Sequence, residues 1–157
     1  MKQLQIVKKL MVIMIAGLLV SGLTVFPVNS ELNFLLDVLP GNSEMHGVIT
    51  KVLNDYNKAE NDSPQLLYGL DWLGFAHIVL AILFIGPYRD PVKNIWVIEF
   101  GLISSLLIFP LAFIAGPIRG IPVTWRLIDC SFGVVAGILL WIAYRNTKQI
   151  ISSKIKI

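Results

Sequence analysis

Residues 95–118, IWVIEFGLISSLLIFPLAFIAGPI, hold a single charged residue, Glu99, in an otherwise apolar run. A bilayer core about 30 Å thick takes roughly 20 apolar residues of helix, so this run is long enough to cross one. Three further runs qualify or nearly do: Leu10–Val28, Trp72–Tyr88 and Pro122–Tyr144. The expected fold is all-α: a polytopic membrane protein, an antiparallel bundle of four transmembrane helices with a short helical extracytoplasmic loop. Spans are expected at about 10–28, 66–87, 94–116 and 122–144, with a loop at about 29–65 and a tail at 145–157. All of it reads as one membrane domain, residues 1–157.

Composition agrees. Of 157 residues, 55% are hydrophobic and 15% charged, far from the balance of a water-soluble domain. The largest part outside the spans, Asn29–Leu70, is too short to be trusted as an independent core. Cys130 is the one cysteine, which excludes an intrachain disulfide, a Cys-x-x-Cys redox pair and any multi-cysteine metal site.

The net charge of +3 matters less than its distribution. Lys2, Lys8 and Lys9 precede the first span, and Arg89 and Lys93 separate the second from the third. Arg145, Lys148, Lys154 and Lys156 follow the fourth. Between the first two spans lie Glu31, Asp37, Glu44, Asp55, Glu60 and Asp62 against Lys51 and Lys58. Excess Lys and Arg marks the cytoplasmic side. The expected location is thus the cell membrane, multi-pass, with both termini cytoplasmic and residues 29–65 outside. The Arg119 loop, with Arg126 beyond it, falls outside and is the exception. Lys8-Lys9, the apolar run and Val28-Asn29-Ser30 also fit a secretory signal. We take the segment as a retained span and keep cleavage as the alternative.

Within the loop, Ser30 is expected to cap a short helix ending before Pro40-Gly41, and Ser43 with Glu44 to open a second. Met45, Val48, Ile49, Val52, Leu53 and Tyr56 then recur at three- and four-residue spacing, one face of a helix. Such a helix either lies in the membrane interface or lids the bundle; its polar face is not basic, and the lid is the expectation here. Ser63-Pro64 is a helix start. Trp72, Trp96, Trp125 and Trp141 sit near span ends, where indole rings anchor at headgroup level. Gly133-x-x-x-Gly137 is the expected helix-packing face, with Gly17/Ser21 and Gly101/Ser105 at the same spacing. Pro110 is expected to kink the third span.

Five ionisable residues form the candidate ligand-binding set: Asp71, His77, Arg119, Arg126 and Asp129. Charges within spans are costly and are normally paired and turned inward. Arg126 and Asp129, three apart, share a helix face and can pair. An arginine here could hold an anionic headgroup or carboxylate through forked hydrogen bonds, with Asp129 or His77 accepting a proton. The plainer reading is that the pair joins helices and that His77 is a core histidine. Glu99 is the candidate inner-leaflet acid; it pairs with Arg89, Lys93 or Arg145, or else ends a proton path through Ser104 and Ser105. No residue reads as catalytic.

No cofactor is expected. Haem through His46 and His77 is considered and set aside, because the two sit on separate segments, and no spacing recommends a metal site. The basic tail is too sparse for nucleic acid. Expected partners are the bilayer and either a second copy or a partner membrane subunit. Three functions follow: a structural, interaction or accessory subunit, which leads; a binding protein or enzyme for a lipid or small amphiphile at the outer charged cluster; and a small transporter or channel component.

Overall fold

The computed structural model describes residues 2–155, and among them every regular element is helical. In chain order these are α1 (Lys2–Leu23), α2 (Val28–Val38), α3 (Glu44–Asp62), α4 (Pro64–Arg89), α5 (Ile95–Pro110), a π-helical turn (Leu111–Ala115), α6 (Gly116–Ile118) and α7 (Val123–Ile155). Four stretches are long and apolar enough to cross a membrane: Lys2–Leu23, Pro64–Arg89, Ile95–Ile118 and Val123–Ser153.

Several boundaries move, each for a physical reason. The first span starts and ends earlier than its apolar run, because Val7, Met11 and Met14, spaced four and three apart, make one buried stripe that begins within the polar leader. α2 begins at Val28, so Ser30 lies inside it and does not cap it; Pro27 holds the cap position without a side-chain bond. Ser43 does cap α3, its hydroxyl accepting from the His46 amide at 3.1 Å. α4 starts at Pro64 as the sequence implies and runs through Pro87 to Arg89. The fourth span does not fade after Tyr144. Leu140, Ala143 and Thr147 continue one buried stripe, and α7 runs for 33 residues, roughly 50 Å at 1.5 Å per residue. Lys156 and the side chain of Lys154 lie outside the described residues.

The chain packs in two compact units, Met1–Ala16 with Ala81–Ile157, and Gly17–Leu80. α1 and α4 each contribute to both. In the first unit, α5 and α7 meet through small residues. A methyl group added at Gly133 would lie 2.9 Å from the Ser105 carbonyl oxygen, and one at Gly101 would lie 2.7 Å from Leu140 Cδ1 and 2.9 Å from Phe84 Cζ. Gly137 has Ser105 Cβ at an ordinary 3.7 Å. The turn from α4 to α5 is tied by Asp90, whose carboxylate accepts from the amides of Val92 and Lys93 at 3.1 and 3.0 Å. Asn94 closes the turn by donating to the carbonyls of Gly86 and Asp90. Lys8 Nζ lies 5.5 Å from the Tyr88 ring centroid, a cation–π contact between α1 and α4.

The second unit holds a reciprocal crossing of α1 and α4. A methyl group on Gly22 would meet the Gly74 carbonyl oxygen at 2.7 Å, and one on Gly74 the Gly22 carbonyl oxygen at 2.8 Å. Gly17, nominated from spacing, has nothing within 4 Å; the close glycine of α1 lies five residues further on. α2 and α3 form a hairpin. Asn29 near the start of α2 donates to Asn57 near the end of α3 at 2.7 Å, so the two helices run in opposite directions.

Candidate functional site

Pro110 has no amide hydrogen to give, so the α-helical ladder of α5 cannot continue unchanged past it. A π-helical turn, Leu111–Ala115, with Ala112 buried, follows Pro110 where the sequence leads one to expect a kink. α6 then ends in a Schellman motif: the amide of Ile121 donates to the carbonyl of Gly116 at 2.9 Å, and that of Gly120 to Pro117 at 3.0 Å. Gly120, at φ 69°, takes the left-handed conformation that the motif requires and that a side chain would oppose. This reversal delivers the chain to α7 with Arg126 one turn inside it.

Arg126 is the most unusual side chain here. Its aliphatic stem lies across Gly116, where any side chain would collide with Arg126 Cδ. Its Nε is closed off from water and has no hydrogen-bond partner. A buried donor left unpaired costs about 1–3 kcal/mol, more when charged.

The pairing expected of Arg126 and Asp129 does not form. Asp129 is exposed, and no ion pair within 4.0 Å joins the two, although they stand one turn apart. The reason is Gly116: the arginine stem finds apolar contact across it while the short carboxylate stays in the open. Arg119 is exposed at the end of α6. Glu99 is half-buried on α5, and no ion pair joins it to Arg89, Lys93 or Arg145, all three exposed. The hydroxyls of Ser104 and Ser105 donate to the carbonyls of Phe100 and Gly101 in their own helix.

The remaining candidates, Asp71 and His77, lie on α4 in the second unit. Asp71 is exposed. His77 is half-buried beside Gly22 of α1, and its Nδ1 is closed off without a partner. His46 lies on α3, with its Nδ1 3.4 Å from the Thr50 hydroxyl. Among the described residues no three His, Cys, Asp or Glu side chains gather closely enough to hold a metal. An open groove beside Tyr144, Arg145, Lys148, Gln149, Ser152 and Ser153 is walled by α7 alone.

Sequence reading missed Gly116 as the seat of Arg126, Gly22 and Gly74 as a crossing, and Asp90 as the tie of its turn. Asp90 had a local signal, since Asp before Pro favours turn initiation. Gly22 and Gly74 had none, because neither belongs to a small-xxx-small pair with a recognisable partner. Compared with protein-family models, curated proteins and solved structures, the chain matches none of them.

Proposed function

We propose that the chain is a multi-pass cell-membrane protein, an antiparallel bundle of four spans with both termini cytoplasmic and residues 29–65 outside. In this reading it is a structural or interaction component, either an accessory subunit or a self-associating scaffold. One observation carries it. In an 18-residue apolar stretch of each span only 17% to 28% of the residues are buried, so most of the lateral surface is uncovered, including Ile103, Leu106 and Phe113 before α7 and Phe132 and Val135 on it. Lipid covers such a surface, and so do other helices through close van der Waals packing. The Gly133 face is already taken by Ser105 and Ile108 of the same chain, so a partner helix would use the opposite side of α7.

Native mass spectrometry of the full-length protein from nanodiscs tests this. A discrete oligomer, or a second membrane protein held in fixed ratio, is expected. A monomer would overturn the reading if it carried a stoichiometric small molecule lost in Arg126→Gln. That outcome belongs to the second reading, a binding protein for the anionic headgroup of a lipid or small amphiphile. It is supported by the unpartnered Arg126 Nε, with Arg119 in the adjoining loop.

A further inference from the structure

The α2–α3 hairpin has two unlike sides. α2 packs on α3, and we take the partly buried Leu32 and Leu36 of α2 and Ile49 and Leu53 of α3 as the contact stripe. A helix turns roughly 100° per residue. On α2 that places Leu35 and Val38 on one flank of the contact stripe, Asn33, Asp37 and Ser30 on the other, and Phe34 opposite the stripe. On α3 it places Met45, Val52 and Val48 on one flank, Asn54 and Lys58 on the other, and Lys51 opposite the stripe. Because the helices run in opposite directions, the two apolar flanks turn to the same side of the hairpin. These five apolar residues are between 40% and 65% exposed, so the described residues leave much of this flank open. Two acids share the flank: Asp55 at its outer margin, and Glu31 at the first turn of α2, where the helix dipole favours a carboxylate.

The tethers decide what covers this face. Four residues, Thr24–Pro27, separate α1 from α2, and Ser63 alone separates α3 from α4. Fully extended, four residues reach at most about 14 Å. A hairpin tied that closely to the ends of two membrane-spanning helices cannot leave the bilayer surface. Its six acids against two lysines exclude attraction to anionic lipid as the force. We propose that the hairpin lies flat in the membrane interface, its Leu35/Val38–Met45/Val48/Val52 face sunk among the lipids of a neutral, zwitterionic surface. This departs from the lid expected from the sequence. It rests on α1 and α4 crossing the bilayer, and not on the Arg126 site.

The test uses full-length protein in phosphatidylcholine vesicles, with spin labels placed singly at Leu35, Val48, Asp37 and Lys58 in a Cys130→Ala background. Labels at 35 and 48 should relax with oxygen and resist an aqueous nickel chelate, and labels at 37 and 58 should do the reverse. Adding phosphatidylglycerol should leave the pattern unchanged. Water-like behaviour at 35 and 48 would overturn the proposal. Protection of those sites from both reagents would also overturn it, in favour of a protein cover. A chain released from the vesicles by alkaline carbonate would overturn the membrane reading itself. Photoactivatable phosphatidylcholine tests the same contact on the unaltered protein. Cross-links should fall on α2 and α3 at the apolar face, and their absence there while the spans are labelled would refute the proposal.

Discussion

Two helix crossings in this protein both depend on glycine, and they differ in what the glycine faces. At Gly22 and Gly74 each missing side chain makes room for the other helix's carbonyl oxygen, so backbone meets backbone from both directions. At the α5–α7 crossing the partners are mixed. Gly133 faces a carbonyl oxygen, but Gly101 faces Leu140 Cδ1 and Phe84 Cζ, the far ends of buried side chains that must shift within the core. The number of close glycines therefore says little about tolerance. What decides it is whether the neighbour can move.

The strongest way to break this comparison is to fill the reciprocal crossing. Gly22→Val and Gly74→Val should each destabilise by about 3 kcal/mol, the upper range for overpacking, read from thermal or SDS unfolding in mild detergent. The double variant should cost clearly less than the sum, because a crossing already pried apart leaves the second side chain free. Full additivity would mean that the helices do not share this contact. Gly133→Ala comes next, at about 2 kcal/mol, since its methyl would press on the Ser105 carbonyl.

Gly101→Ala sharpens the distinction. Its loss should stay near 1 kcal/mol or below, and Leu140→Ala in the same chain should cost less than it does alone, since the new methyl fills part of the space vacated. A Gly101→Ala loss as large as that of Gly133→Ala would contradict the argument from mobility. At the small end, Gly17→Ala should be neutral or stabilising by up to about 1 kcal/mol, because the site is open and alanine favours helix. Arg126→Met should change stability by no more than about 1 kcal/mol in either direction, since it removes an unpartnered buried donor together with a packed stem.

The two crossings also show what was legible in the residues. Gly101, Gly133 and Gly137 could be nominated from spacing, because a small residue every fourth position marks a stripe on one helix. Gly22 and Gly74 have no small residue four positions away, and a contact between two such glycines is a property of how two helices cross. Arg126 illustrates the same limit. Its expected partner, Asp129, was the nearest opposite charge along the helix, but the stem turned to Gly116, ten residues upstream and across a chain reversal.

Hydrophobic length and turn chemistry act locally, so the amino-acid order alone determined the four long apolar helices, the Ser43 cap, the start of α4 at Pro64 and the disturbance at Pro110. Burial depends on neighbours far away in sequence. The continuation of α7 past Tyr144 and the beginning of α1 in the polar leader were therefore decided by buried stripes that only packing reveals. The same holds for the reciprocal glycine crossing and for the seat of Arg126, where the arrangement of two backbones in space, and not the composition of either, sets which side chain fits.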